Sequence, residues 1–276
     1  MRNIYIAYLT TIFLSVTAYA DTNNTSVEIP WGYSTTDGPD QWAKLNPAFE
    51  LCAKGKHQSP INISKRIGKT PPTLAFYYEP APLSIVIDGE TNIMIGQSPS
   101  VIADGHSIQL NFPSDKAKES IMLDDDYYRL VQLHIHKPSE HQLQGQTYPL
   151  EIHMVHQGVD GHVAVVGVLV KTGGANPGLQ KMIDHLPQDK GVEQTINNEE
   201  VNPKDFIPQI HDYYNYFGSL TIPPCTEGLQ WIVMAEPITA SSSQMAALRK
   251  AMDSDNARPV QPLQGRRIYF SRTVTK

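Results

Sequence analysis

Residues 132–142 read QLHIHKPSEHQ, which puts three histidines and a glutamate into eleven positions of a chain with only ten histidines. In VQLHIHK (131–137) the histidines stand two apart. A strand sends alternate side chains to the same face, so His134 and His136 point together and Leu133 and Ile135 fill the opposite, buried face. The stretch therefore predicts a strand anchored by apolar side chains that presents two imidazoles at metal-ligand spacing.

A catalytic zinc site usually takes three protein ligands and leaves a fourth position for water. The next segment, YPLEIHMVHQ (148–157), offers His153, and QLQGQT (142–147) between them suits the connection of an antiparallel pair. Glu151 shares a face with His153. A carboxylate beside a ligand histidine accepts the free ring N–H, fixes the tautomer and makes the other nitrogen more basic. His156 points the other way. A lone histidine needs no metal to explain it, but two on one strand face and a third beside a carboxylate on the following strand do.

Working outward, residues 57–115 alternate short apolar runs with Pro, Gly, Asn and Asp, the pattern of short strands and tight turns. Further strands are expected at about 129–136, 148–156 and 162–170. HVAVVGVLVK (162–171) is apolar on both faces, as a central strand should be. SSSQMAALRKAMD, from Ser241, reads as a helix with serine capping and Met245, Leu248 and Met252 on one side, and NPGLQKMIDHL as a shorter one. NNEEVNPKDFIPQIHDYYNYFGS reads as loop because of its prolines and glycine. There is no internal repeat and no linker, so a single β-rich domain is expected.

The chain has 276 residues, 40% hydrophobic and 18% charged, enough to bury a substantial core. Residues 1–20 carry Arg2, an apolar run from Ile4 to Val16, and small residues at Ala18 and Ala20, the arrangement of a secretory signal peptide. That leaves residues 21–276 as the mature domain, periplasmic or secreted and without a membrane anchor. The formal charge of −6, with no basic stripe, argues against nucleic acid or an anionic membrane as partner. Cys52 and Cys225 are the only cysteines. In an oxidising compartment they read as one disulfide, with two buried thiols as the alternative.

Three kinds of metal protein compete for the histidines. His-Glu-Xaa-Xaa-His is absent, and the reversed metalloprotease signature would need histidine where Lys137 stands; Pro138 also opposes a helix there. HIHKPSE fits part of the cupin pattern, but Tyr128 occupies the place of its upstream glycine. The third match is far longer. WGY (31–33), QSPINI (58–63), DGHSIQL (104–110), QLHIHKPSEH (132–141), LEIHMVH (150–156), GSLTIPPCTEGLQW (218–231) and NARPVQPL (256–263) resemble, in order, segments of the α-class carbonic anhydrases.

That resemblance implies a mainly β fold (α+β by its peripheral helices): a central, twisted, mostly antiparallel sheet of about ten strands with short surface helices. It implies zinc-dependent hydration of carbon dioxide to bicarbonate and a proton. His134, His136 and His153 would hold zinc, with Gln132, Glu151 and the backbone of Asn256 supporting them. Thr221 and Glu140 would orient the attacking oxygen, and His106 would shuttle the proton. Val155, Val165, Leu220, Leu229 and Trp231, with Ile222 where many relatives have threonine or histidine, would form the carbon dioxide pocket; composition alone calls them core. Gln109 replaces an asparagine common in animal enzymes. His57, His141, His156, His162, His185 and His211 are left as structural or surface residues. Sulfonamides and anions are the expected inhibitors, and bacterial relatives are often dimers. A non-catalytic protein on the same fold, or a metal-storage module, is the rival that the presence of Thr221, Glu140 and His106 weakens.

Overall fold

A computed structural model describes residues 30–64, 71–87, 90–95, 98–103, 106–112 and 119–272. The expected signal peptide lies outside the described residues. In chain order the strands are β1 (Asn62–Ile63), β2 (Leu74–Tyr77), β3 (Ala81–Ile87), β4 (Glu90–Ile95), β5 (Ser98–Ala103), β6 (Ile108–Asn111), β7 (Ser120–Leu123) and β8 (Asp126–His136). They continue with β9 (Gln142–Leu143), β10 (Leu150–Gly158), β11 (Val163–Thr172), β12 (Gln194–Val201), β13 (Tyr213–Ser219), β14 (Glu227–Met234), β15 (Ile238–Ala240) and β16 (Tyr269–Ser271). The α-helices are α1 (Trp42–Leu45), α2 (Leu51–Lys54), α3 (Pro177–Asp184) and α4 (Ser242–Ala251).

Among the described residues, twelve strands form one sheet along the order β12-β3-β6-β8-β10-β11-β14-β13-β16, with β15 on β11 and the β2–β7 pair on β8. About ten were expected. Pairing in it is antiparallel except where β14 and β15 run parallel to β11.

The sheet has two apolar faces. Leu133 and Ile135 of β8, Ile152 and Met154 of β10, and Ala164, Val166, Val168 and Val170 of β11 pack on one side with Leu179 and Met182 of α3 and Met245 and Leu248 of α4. Val155, Val165, Leu229 and Trp231 pack on the other. Strand β11 is thus buried on both faces, as its unbroken apolar run predicts. Helix α4 begins as its serines suggest: Ser241 and Gln244 form a reciprocal capping box.

The segment expected as loop is corrected. It contains the greater part of β12, a 3₁₀ turn at Pro203–Phe206, and β13. Its prolines fall between the strands, and the aromatic run Tyr213-Tyr214-Asn215-Tyr216-Phe217 favours a pleated, half-buried surface. Cys52 and Cys225 form the disulfide, with Cα atoms 5.1 Å apart.

Candidate active site

Antiparallel register sets His153 on β10 opposite His134 on β8, and Glu151 opposite His136. All four residues are buried. Ligand atoms from His134, His136 and His153 lie within 4.8 Å of one another.

The outward nitrogen of each ring meets an acceptor. His134 Nδ1 donates to Gln132 Oε1 at 2.8 Å, His136 Nδ1 to the Asn256 carbonyl at 2.8 Å, and His153 Nε2 to Glu151 Oε1 at 3.0 Å. Those bonds place each proton outside and a lone pair inside. His134 Nε2 and His136 Nε2 stand 3.1 Å apart, so in these tautomers two lone pairs face each other. Three converging lone pairs on neutral rings fit a divalent cation of zinc type. Burial and the neighbouring imidazoles depress the basicity of His134, and burial brings His153 down to about 4, which keeps both rings unprotonated.

Glu151 accepts four bonds, two at each oxygen: Oε1 from His153 and from His141 Nδ1 at 2.7 Å, Oε2 from the backbone N–H groups of Glu140 at 2.8 Å and His141 at 2.7 Å. Burial alone would raise its pKa, but His141 and His153 together hold it well below the ordinary carboxylate range. Space for this carboxylate comes from Gly167 on β11, which pairs with His153 on β10. A Cβ there would sit 3.0 Å from Glu151 Oε1. His141 Nε2 in turn accepts from the Tyr216 hydroxyl at 2.6 Å, and Tyr216 meets Ser59 Oγ at 2.8 Å. His141 is thus a buried, structural histidine; Gly167 and Tyr216 carried no sequence signal.

Glu140 reaches the same centre, its Oε2 lying 3.6 Å from His136 Nε2 and 3.9 Å from His153 Nδ1. Burial, reinforced by the Glu151 charge, pushes its pKa up to about 8, against the lowering influence of the Arg258 N–H and the Thr221 hydroxyl. Arg258 N donates to Glu140 Oε1 at 2.8 Å. The Arg258 guanidinium, which the sequence did not single out, anchors that backbone to Gln58 Oε1, Ser59 O and Cys52 O, each at 2.8 Å.

Val155, Val165, Leu220, Ile222, Leu229 and Trp231 belong to one buried cluster. It abuts the trio, since the Trp231 ring is 4.8 Å from that of His153. His106 is not one of the converging rings. Half-buried at a turn, it lies against Trp31 and Tyr33 with Nε2 3.1 Å from the Trp31 carbonyl. Its own carbonyl accepts from Asn256 Nδ2 at 3.0 Å. His57 and His162 are exposed beside Glu227 and Asp160.

The family model for eukaryotic-type carbonic anhydrase matches residues 37–272. A carbonic anhydrase of Pectobacterium atrosepticum is 34% identical over 247 residues, covering 88% of this chain and 91% of the relative. Dioscorin DB3L of Dioscorea polystachya is 35% identical over 85% of this chain and 82% of its own. The α-carbonic anhydrase of Thermovibrio ammonificans, solved with the inhibitor sulfanilamide, superposes with a TM-score of 0.75 at 35% identity, covering 88% of this chain and 99% of that one. Among the described residues no helix is long and apolar enough to cross a membrane. The chain belongs to the eukaryotic-type, or α-class, carbonic anhydrase family.

Proposed function

We propose that this protein is a zinc enzyme that hydrates carbon dioxide to bicarbonate and a proton, acting after export, with residues 21–276 as the mature domain. Relatives on this fold carry more than one name, Dioscorin DB3L among them, so the fold alone does not decide the activity. The observation that carries the reading is the histidine trio with an acceptor fixed behind every ring.

His134 and His136 would hold the metal through Nε2, and His153 through Nδ1. When bound, zinc brings a water to a pKa of about 7, a value known from carbonic anhydrase itself. Thr221, buried beside Glu140, offers its hydroxyl oxygen as the acceptor that aims the attacking oxygen, and its own O–H donates a hydrogen bond to the Glu140 carboxylate. The apolar wall of Val155, Val165, Leu220, Leu229 and Trp231 suits a substrate with no donor to satisfy and keeps competing water out. Ile222 adds a further apolar side chain where a hydroxyl would order water.

The product proton leaves through His106, which stands at a turn against Trp31 and Tyr33 with Nε2 near the Trp31 carbonyl. An imidazole accepts a proton at one ring nitrogen and releases one from the other, which suits that task. Sulfonamides are expected to bind the same centre, by analogy with the sulfanilamide complex of the Thermovibrio ammonificans relative.

The test is carbon dioxide hydration followed by stopped-flow pH change, with His134→Ala and a chelator-treated sample alongside. Rapid hydration that disappears in both and returns to the chelated sample with zinc supports the reading. A protein that holds one zinc and leaves hydration at the uncatalysed rate sinks it.

A further inference from the structure

Lys137 directly follows His136, yet its side chain turns away from the trio and is 7% exposed. Lysine is almost never buried without a partner. Here the partners are carbonyls: Nζ donates to Met252 O at 2.9 Å and to Arg249 O at 3.2 Å. The Asp255 carboxylate is at 4.0 Å and is itself largely exposed. Arg249 belongs to the last turn of α4 and Met252 is its C-cap. Carbonyls at that position have no intrahelical donor and carry the negative end of the helix dipole, so a cation is the natural group to satisfy them.

The backbone of Lys137 grips the same loop four residues further on. Lys137 N donates to Asn256 Oδ1 at 2.6 Å, and Asn256 N donates to Lys137 O at 2.9 Å. Asn256 is the residue whose carbonyl receives His136 Nδ1 and whose Nδ2 reaches the carbonyls of His106 and Ile135. The turn from Met252 to Asn256 is therefore fixed at one end by the Lys137 ammonium and at the other by the Lys137 backbone.

We infer that Lys137 is a positioning residue of the metal centre: its ammonium sets the Met252–Asn256 turn and, through the Asn256 carbonyl, the orientation of His136. The inference rests on the reading that the trio holds zinc. With the charge removed, two carbonyls lose their buried donor and the turn relaxes toward water, drawing the Asn256 carbonyl off the line of the His136 Nδ1–H. An ordinary packing role for Lys137 would lower stability without altering that bond.

The experiment compares wild type, Lys137→Met and Leu248→Ala, the last removing a buried side chain of α4 without touching the anchored carbonyls. Zinc release into excess chelator is timed well below the melting temperature of every variant, and the ring N–H proton resonances are recorded by NMR. Outer partners of metal ligands typically change affinity by about 10 to 100-fold. Expected are release about 10-fold faster in Lys137→Met with the His136 Nδ1–H resonance displaced, and wild-type values for both in Leu248→Ala. Equal release in wild type and Lys137→Met, or equal acceleration in Leu248→Ala, overturns the inference alone. A wild-type protein that takes up no zinc overturns the zinc reading beneath it as well.

Discussion

The Glu151 carboxylate holds His141 twice, Oε2 accepting its backbone N–H and Oε1 its Nδ1–H, both at 2.7 Å. With Glu140 N and His153 Nε2 added, every acceptor direction of the carboxylate is in use. Glu151→Gln would keep the shape but turn an NH₂ group toward N–H donors that have nowhere else to go. Leaving buried donors unmet costs about 1–3 kcal/mol each. We expect a loss of about 3 kcal/mol in urea unfolding of the metal-free protein, and zinc affinity weaker by roughly 10 to 100-fold. Wild-type stability and affinity in this variant would show that Glu151 supports neither.

Thr221 and Glu140 are predicted to act as one device. Thr221→Val removes the hydroxyl at constant shape, and Glu140→Gln removes the acceptor for its proton. Each should lower kcat/KM by about 100-fold, roughly 3 kcal/mol of transition-state stabilisation, while the double variant loses little more than the worse single one. Thr221→Ser should stay within about fivefold of wild type. Losses that simply multiply in the double variant would refute the coupling.

Part of this site was legible because its signal is local. His134 and His136 share a face by strand period alone, and Glu151 stands beside His153 for the same reason. Support that crosses the sheet left no such trace. Gly167 matters because β11 brings it opposite His153, and Lys137 because the chain returns 115 residues later at Met252. Pro203 and Pro208 make the whole segment look like loop, yet they only separate β12 from β13. The pocket residues raise a different difficulty: Val155, Val165, Leu229 and Trp231 have the composition and burial of ordinary core. Only family resemblance sets the proposed carbon dioxide wall apart from the core on the other face.

His156 gives a prediction about acid stability. It is buried, with Nε2 2.8 Å from the Tyr78 hydroxyl, and burial lowers its pKa from 6.5 to about 3. Between those values the unfolded chain binds a proton at this ring and the folded chain does not. Stability is therefore lost as pH falls below about 6.5, until the folded ring itself titrates near 3. His156→Gln keeps a polar partner for Tyr78 but cannot titrate, so wild type should lose about 2 kcal/mol more than the variant between pH 7 and pH 5. Urea unfolding at the two pH values measures this directly. Parallel losses in both proteins would mean that the ring is not held neutral.

The disulfide bears on the same region, because Cys225 lies four residues beyond Thr221 and the Cys52 carbonyl receives the Arg258 guanidinium. It joins residues 173 apart in sequence. A cross-link of that span restricts the unfolded chain far more than the folded one, so replacing both cysteines by serine should destabilise the protein by about 4 kcal/mol and lower its Tm by about 10 °C. Local geometry is a separate matter. Arg258 keeps Gln58 Oε1 and Ser59 O, and its N–H keeps Glu140, so turnover at 25 °C is expected to remain within about threefold of wild type. A large fall in kcat/KM in a variant that is still folded at that temperature would instead make the bridge part of the machinery that places Thr221 and Glu140. An unchanged Tm would show that the unfolded chain gains little freedom when the bridge is removed.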